Sequence, residues 1–217
     1  MTATKTARQP MTRERVLIGA LELADQIGVA DLTIRRLAET LDTKPMTIYH
    51  HVPSKDEILD GIVDLVFAEI DLPDPELDWK PAVRGRCVSA RQVLARHPWA
   101  VPLMESRRSP GPATLQHHDA VVACLRTGLS LIMTGHAYAT LDAFVYGFAI
   151  QEAALPAPGD EMNEIVDDLA TDELAEHFPA LHEFAVERTM QPGYDFGDEF
   201  EYGLDLILDA LEARTTR

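Results

Sequence analysis

Side chains that could read DNA bases are concentrated in one short stretch of the chain. Arg35 and Lys44 can hydrogen-bond to guanine O6 and N7 or to a phosphate. Pro45, Met46 and Thr47 follow directly, and the methyl groups of Met46 and Thr47 suit contact with a thymine methyl group. Because Pro45, Met46 and Thr47 begin one short helix that Arg35 and Lys44 flank, these residues predict contacts that discriminate between base pairs.

A second group in the same stretch suits contacts with the DNA backbone. We assign Tyr49, His50 and Lys55 to phosphates, which polar and basic side chains commonly contact. Phosphate contacts hold a protein in register but carry no sequence information, so loss of Lys55 is expected to weaken binding to all sites alike. Thr33, at the start of the preceding helix, completes the predicted set of DNA-binding residues.

Four predicted helices position these side chains. The first runs from about Thr12, a suitable N-cap, to Gly28, which suits a left-handed stop. The second begins near Thr33, and the third begins after a polar turn at Pro45, whose missing N–H costs nothing in a first turn. A capping box that starts at Ser54 begins the fourth. The core between the second and third helices is predicted to contain Leu37, Ala38, Leu41, Ile48 and Val52.

The rest of the chain also shows helical periodicity, and we predict an all-α fold. No alternating polar and apolar run bounded by hairpin turns indicates a strand. The predicted organisation is a three-helix helix-turn-helix domain over 1–55, a linking helix over about 55–70 and a larger helical domain over 71–217. In the larger domain, helices are expected at about 78–97, 99–105, 112–127, 131–155, 161–190 with a break near Pro179, and 195–214.

Charge is distributed unevenly along the 217 residues. The formal net charge is −17, which argues against a protein that coats nucleic acid with its whole surface. Residues 1–55 contain eight Lys or Arg against six Asp or Glu, a net charge of +2, whereas residues 56–217 contain eleven against thirty, a net charge of −19. Only the N-terminal quarter is therefore suited to approach DNA.

No apolar stretch predicts a membrane span or a signal peptide. None reaches the roughly 20 residues that a membrane-spanning helix needs, and the start of the chain is polar. We therefore expect a cytoplasmic protein without a membrane partner. Cys87 and Cys124 lie in apolar helical stretches without CxxC spacing, which favours buried free thiols over a disulfide or a zinc site.

The helix-turn-helix stretch closely resembles the TetR family of bacterial transcription regulators. In that family a helix of the form hydrophobic-Thr-hydrophobic-Arg-x-Leu-Ala, here residues 32–38, precedes a tight turn and a recognition helix ending in Tyr-x-His-Val, here 49–52. A lysine, here Lys55, opens the next helix. The resemblance is strong over 12–70, and a weaker similarity to C-terminal domains of the tetracycline-repressor type continues over 78–155.

The resemblance implies a ligand-responsive repressor that binds a palindromic operator as a homodimer and is released by a small-molecule effector. Some relatives instead activate transcription, and some bind DNA only when a ligand is bound. A dimer reads two half-sites about one DNA turn (~34 Å) apart. Two apolar stripes predict a four-helix bundle at its interface, the alternative being that they face the chain's own core. They contain Leu141, Phe144, Val145 and Phe148 in one helix, and Leu204, Ile207, Leu208 and Leu211 in the last.

The resemblance also implies an effector pocket in the larger domain. Its predicted residues offer an apolar lining with a few polar points, although each also fits ordinary packing. Tetracycline is not expected. The relatives that bind it chelate magnesium through a histidine and an acidic partner, and this chain has Met104 near the position of the first and Gln151 near that of the second. We expect a moderately hydrophobic effector, with or without an aromatic ring, and no metal or other cofactor. The predicted set is Met104, Arg108, His117, Val121, Tyr138 and Gln151.

Metal binding is not expected at either of two candidate sites. His50 and His51 are adjacent, and adjacent residues on a helix diverge by about 100°, so both cannot easily bind one ion. Several acidic residues between 160 and 168 share a helix face, but a solvated acidic surface is the commoner explanation of such a run.

Two rival functions stay open beside the repressor. An enzyme on a helical scaffold could use His97, His117 or Asp142 as acid-base groups, but the chain lacks a nucleophile elbow, a phosphate loop and an HExxH cluster. We therefore expect no enzymatic activity. The second rival is an acidic protein-interaction module whose helix-turn-helix no longer binds DNA.

Overall fold

The protein folds as a set of packed helices, in agreement with the predicted all-α class. The structure, a computed structural model, describes residues 10–106, 109–155 and 171–215, and these residues contain no strand. Part of the predicted helix at 161–190, with the acidic run at 160–168, lies outside the described residues. The helices are α1 Arg13–Ile27, α2 Ile34–Thr40, α3 Pro45–His51, α4 Lys55–Glu69, α5 Trp79–Arg96, α6 Ala100–Ser106, α7 Pro112–Gly128, α8 Leu131–Ala154, α9 Asp172–His177, α10 Pro179–Phe184 and α11 Asp198–Thr215.

The ends of the N-terminal helices follow their local sequence signals. The Thr12 hydroxyl accepts a hydrogen bond from the Arg15 amide at the start of α1, and Gly28 ends that helix with φ of 75°. The Thr33 hydroxyl caps α2, and Pro45 opens α3 as predicted. At α4 the Ser54 hydroxyl accepts from the amide three residues on. These predicted boundaries are confirmed, because a cap depends on residues within one turn of the helix end.

A small apolar core holds the first three helices and the start of α4 together. Leu37 of α2 and Ile48 of α3 are fully buried in it, with Val16 of α1 and Ile58 of α4. The turn between α2 and α3 contains Asp42 at φ of 47°, a left-handed conformation that aspartate tolerates better than most residues. The predicted core residues belong to this cluster, with Leu41 half-buried at its edge. This packing fixes the angle between α2 and α3.

A second, larger core lies between α4, α5, α7, α8 and α11. The helix α4 contributes to both cores, since Ile62 faces the first and Val66 and Phe67 face the second. Because α4 belongs to both cores, the two parts of the protein share one continuous helix.

Ion pairs on the outside join α5 to α11, with Lys80 bonded to Asp209 and Glu212, and Arg84 to Asp205 and Glu201.

The apolar stripes predicted as a dimer interface lie inside this second core, which corrects that prediction. Four of these side chains have at most 1% of their surface exposed, so they cannot contact another copy. Apolar residues spaced along one helix face look the same whether the partner helix belongs to the same chain or to another. The buried ones are Leu141, Val145, Phe148, Leu204, Leu208 and Leu211, and Phe144 and Ile207 are half-buried against the same core.

Other features of the larger domain match their sequence patterns. The predicted break near Pro179 is confirmed, because α9 ends at His177 and α10 begins at Pro179. A π-helical turn at Ala185–Thr189 follows α10. Cys87 is buried and Cys124 half-buried, and both are free thiols. No helix in the described part of the chain has the length and apolar character of a membrane span.

Candidate functional site

The helix α3 presents one face to solvent and buries the other. Ile48 is fully buried in the first core, and Val52 follows it there. On the opposite side, 64% of Met46 and 41% of Tyr49 are exposed, although both are large side chains with apolar surface. Exposed apolar groups on a rigidly anchored helix are available to a partner. The helix therefore has the orientation that contact with a DNA groove requires.

The other predicted DNA-binding residues surround this exposed face. Arg35 forms an ion pair with Glu39 at 3.0 Å on α2, but both side chains are largely exposed, and such pairs contribute little. The Arg35 guanidinium can therefore exchange this partner for DNA at small cost. Thr33, Lys44, Pro45, His50 and Lys55 are also exposed, and Thr47 is half-buried. All nine residues lie on one short stretch of chain, and their contact with DNA remains a prediction.

A cavity of about 370 Å³ lies in the larger domain, between α4, α6, α8 and the start of α7. Its volume falls in the range that small-molecule sites usually occupy. Its wall combines aromatic rings, aliphatic groups and carboxylates. The lining residues are Asp60, Val63, Phe67, Met104, Glu105, Ser109, Pro110, Gly111, Thr114, Leu115, His118, Tyr138, Asp142 and Tyr146.

A buried ion pair lies behind the α8 wall of this cavity. Arg86, only 1% exposed, donates from Nη1 to Asp142 Oδ1 at 3.0 Å and from Nε to His117 Nε2 at 2.9 Å. Burial, together with the positive charge of Arg86, lowers the pKa of His117 to about 3, so this ring is neutral near pH 7. Because Nε2 accepts a hydrogen bond, the neutral ring carries its proton on Nδ1.

The remaining titratable rings of the wall are also uncharged near neutral pH. Burial lowers the pKa of His118, which favours the neutral imidazole. Burial, reinforced by the negative charge of Asp142, raises the pKa of both Tyr138 and Tyr146 and keeps their phenols protonated. The Tyr138 hydroxyl and His118 Nδ1 are hydrogen-bonded to each other. The wall therefore offers neutral donors and acceptors beside its carboxylates.

The predicted pocket residues are divided by the structure. Met104 and Tyr138 line the cavity, and His117 lies behind its wall with its ring 5.4 Å from that of Phe67. Val121 is buried in the second core, and Gln151 is exposed near the end of α8, so neither is part of the lining. Arg108 lies outside the described residues.

Sequence reasoning missed the lining residues of α4 and α7, two from α8, Glu105 of α6 and the loop residues at 109–111. Tyr138, Asp142 and Tyr146 are spaced four residues apart, which places them on one face of α8. A polar stripe of this kind in an otherwise apolar helix was the available signal. On α4 the lining residues Asp60 and Phe67 are seven residues apart and also share a face.

The helix α4 joins the cavity to the DNA-facing helices. It begins next to α3, and its middle lines the cavity. Asp64 of α4 accepts hydrogen bonds from the amide and the hydroxyl of Thr114, at 2.8 and 2.9 Å, and so caps the start of α7. Gly111 permits this contact, because a Cβ there would lie 2.3 Å from the Asp64 carboxyl carbon. The start of α7 is therefore hydrogen-bonded directly to α4 beside the cavity.

A second connection joins α1 to the corner between α5 and α6. Asp25 Oδ1 of α1 is 2.7 Å from His97 Nδ1 and accepts a hydrogen bond of the same length from Trp99 Nε1. On its other side, His97 Nε2 is 3.3 Å from a carboxylate oxygen of Glu69, at the end of α4. His97 thus links α1 and α4 through two carboxylates.

Two family models match the chain and together cover most of its length. The model described as bacterial regulatory proteins, tetR family, matches residues 16–62. The model described as tetracyclin repressor-like, C-terminal domain, matches residues 72–215. The residues matched by the first model include the helix-turn-helix. Those matched by the second include every helix that lines the cavity except α4.

Individual relatives and solved structures agree with these matches. An HTH-type transcriptional regulator of Saccharopolyspora erythraea is 35% identical over 53% of this chain, which spans 49% of that relative's length. The HTH-type transcriptional repressor DrrR1 of Streptomyces coeruleorubidus is 30% identical over 93% of this chain and 77% of its own. The structure of ActR from Streptomyces coelicolor in complex with actinorhodin is similar with a TM-score of 0.78 and 28% identity, over 96% of this chain and all of that one.

Proposed function

The chain belongs to the tetR family of bacterial regulatory proteins, and we propose that it is a ligand-responsive transcriptional repressor that binds a palindromic operator as a homodimer. One observation carries the proposal: α3 is anchored through Ile48 and holds Met46 and Tyr49 out to solvent, in the N-terminal part of the chain that is not acidic. Binding of a small molecule in the larger domain releases the protein from the operator.

The DNA-binding domain is assigned to residues 1–55, with α3 in the major groove. Met46 and Thr47 contact base edges from the start of the recognition helix, and Arg35 does so from the exposed face of α2. Lys55 and Tyr49 contact phosphates on either side of the groove. The first group sets the sequence preference. The second adds affinity for DNA, and this part of the affinity falls as the salt concentration rises.

The dimer interface is assigned to the exposed faces of α8 and α11. Both helices bury one apolar stripe in the chain's own core and expose a second one to solvent. Ile132 and Ile150 on α8 are more than half exposed, and so are Tyr202 and Leu206 on α11. Small residues between them, such as Ala139, allow close helix packing. Two copies joined there by a two-fold axis would present their α3 helices to successive turns of DNA.

The effector domain is assigned to residues 71–217, and α4 carries its signal to α3. A ligand in the cavity contacts Phe67 directly and alters the Asp64 contact with α7. It relieves repression only through its different affinity for the two states of the dimer, a coupling on the order of 1–3 kcal/mol. DrrR1 is named as a repressor, which favours repression over activation.

A regulatory role is also favoured over an enzymatic one. Two relatives that match this chain are named as a transcriptional regulator and a transcriptional repressor. We also propose a cytoplasmic location, because a regulator of transcription acts where the bacterial chromosome lies.

Titration of the full-length protein with duplex DNA tests the proposal. The probe is a duplex carrying the inverted repeat upstream of the gene, and binding is followed by fluorescence anisotropy at two salt concentrations. We expect specific binding with a steep salt dependence, two chains per duplex, and a changed site preference for Arg35→Ala. Equal affinity for a scrambled duplex would contradict the proposal.

A further inference from the structure

We infer that Glu39 positions Arg35 for contact with a guanine and so helps to determine which operator the protein selects. The inference rests on the proposed function, because it concerns how the DNA-binding helices distinguish one duplex from another. It depends on the bond between the two side chains, on the part of the Arg35 guanidinium that this bond leaves open, and on the negative charge that Glu39 places beside it.

The bond joins two successive turns of α2. Arg35 Nε donates a hydrogen bond to Glu39 Oε1 at 3.0 Å, between residues four apart on one helix face. The two side chains are 86% and 64% exposed, so the pair contributes little to the stability of the fold. It nevertheless restricts the rotations of the Arg35 side chain. A guanidinium held in one geometry before binding loses less entropy when it meets a base.

The bond leaves the outer edge of the guanidinium open. It uses Nε alone, and within the described part of the chain Nη1 and Nη2 of Arg35 have no hydrogen-bond partner. These two nitrogens form a rigid, planar fork that can donate to O6 and N7 of one guanine together. Arg35 can therefore contact a guanine through this fork while Nε keeps its bond to Glu39.

The neighbouring Arg36 is arranged differently. Its Nη1 donates to the backbone oxygen of Asp31 at 3.2 Å and is 3.3 Å from Oδ1 of the same residue. One nitrogen of its fork is thus already bonded to the chain that precedes α2. Asp31 and Glu39 are both exposed acidic partners of an arginine of α2, but only Glu39 leaves the whole fork of its arginine open. Asp31 therefore provides a matched control for Glu39.

The charge of Glu39 acts on the part of DNA binding that does not depend on sequence. Residues 33–55 contain two acidic residues, Glu39 and Asp42, beside four Lys or Arg. A carboxylate bonded to an arginine that contacts DNA lies near phosphates and is repelled by them. Glu39 thus lowers the affinity for every duplex, whereas the orientation of Arg35 raises the affinity only where a guanine is in place.

Two variants of Glu39 separate orientation from charge. Glu39→Gln keeps an oxygen acceptor for Arg35 Nε and loses the charge, whereas Glu39→Ala loses both. Each full-length variant is titrated, with anisotropy as the readout, against the duplex that carries the inverted repeat and against a scrambled duplex. We expect both variants to bind the scrambled duplex about 3-fold more tightly. Only Glu39→Ala should lower the ratio of operator affinity to scrambled affinity, by about 10-fold.

A matched control and a double variant assign the change in this ratio to Arg35. Asp31→Ala removes the acidic partner of Arg36 and should leave the ratio unchanged. In an Arg35→Ala background, Glu39→Ala should no longer change the ratio, because the side chain that Glu39 positions is absent. Both duplexes are titrated into the same sample, so a fraction of unfolded protein affects both affinities alike. A merely structural role of Glu39 would therefore leave the ratio unchanged.

The outcomes distinguish this inference from the proposed function. An unchanged ratio in Glu39→Ala, an equal loss in Glu39→Gln or Asp31→Ala, or a loss that persists without Arg35 overturns the inference. In each of these cases, an unmodified protein that prefers the operator keeps the proposed function. An unmodified protein that binds both duplexes equally loses the proposed function, and with it the inference.

Discussion

The DNA-facing surface and the effector cavity are built in opposite ways. The DNA-facing surface, which we call the recognition surface, is formed by residues within a single stretch, 33–55, which are mostly exposed and rest on an apolar core. The cavity is formed by residues from α4, α6, α7 and α8, and one of its carboxylates, Asp142, is held by a buried guanidinium. A recognition surface therefore needs only a rigid support beneath it, whereas a cavity needs polar groups that satisfy one another away from water.

The two regions also differ in how much a single polar side chain matters. Exposed charges of the recognition surface are solvated with or without a partner, so their loss changes binding more than folding. Arg86, in contrast, has left water and depends on its partners. Four predictions test this difference, from the largest expected effect to the smallest.

Arg86→Met should have the largest effect on stability. It leaves the Asp142 carboxylate without its cation and His117 without its donor, so we expect a loss of about 3 kcal/mol in the free energy of unfolding. Arg84→Met, on the same helix, removes a partly exposed pair with Asp205 and should cost under about 1 kcal/mol. Urea denaturation measures both, and equal losses would remove the distinction between buried and surface charge.

His117→Gln should flatten the dependence of stability on pH. The pKa of His117 is lowered to about 3 in the folded protein from 6.5, so the unfolded chain binds more protons between these values. Folding stability is therefore lost as the pH falls below 6.5, by up to about 1.4 kcal/mol per pH unit. The glutamine variant lacks this loss while still accepting the Arg86 hydrogen bond. Denaturation at pH 7.5, 6.0 and 5.0 tests this, and parallel curves across the range would exclude it.

Lys55→Ala should weaken operator binding without affecting the cavity. Removing one phosphate contact should lower affinity about 10-fold on every duplex and reduce the salt slope by about 1. Lys80→Ala is the matched control, because Lys80 joins α5 to α11 in the larger domain. Anisotropy titrations on specific and scrambled duplexes measure both variants. A loss confined to the specific duplex would move Lys55 from the phosphates to a base.

Ser54→Ala and Ser130→Ala should have the smallest effects and be nearly equal in stability. Each hydroxyl caps one helix, α4 or α8, and removal of a cap costs about 1 kcal/mol. Only Ser54→Ala is expected to weaken DNA binding as well, since α4 begins directly after the recognition helix. Denaturation and anisotropy applied to the same two samples separate the effects. Equal DNA affinity in both variants would show that the start of α4 does not orient α3.

The recognition surface was largely predictable because its signals are local. Thr12, Gly28, Thr33 and Ser54 each act on a helix end within one turn of themselves. Pro45 likewise marks the start of α3 through its own geometry. The outward face of α3 followed from the burial of Ile48 and Val52, which the helical period predicts.

The cavity and the interface were predicted less well because they depend on contacts between distant segments. Leu141 and Leu204 show the spacing of a packed helix face, but the spacing does not say which helix packs against it. Met104 and Tyr138 lie on the cavity, while Asp60 and Phe67 were missed because α4 was assigned only a linking role.

The amino-acid sequence alone determined the helices, their ends, the outward-facing helix α3 and the contrast in charge between the two parts of the chain. Only the tertiary structure decided that Arg86 is neutralised by Asp142, that α4 lines the cavity, and that the apolar stripes of α8 and α11 meet inside one chain. The physical reason is range. Capping and helical periodicity act over about four residues, whereas burial and charge pairing are set by whichever segment the fold brings alongside.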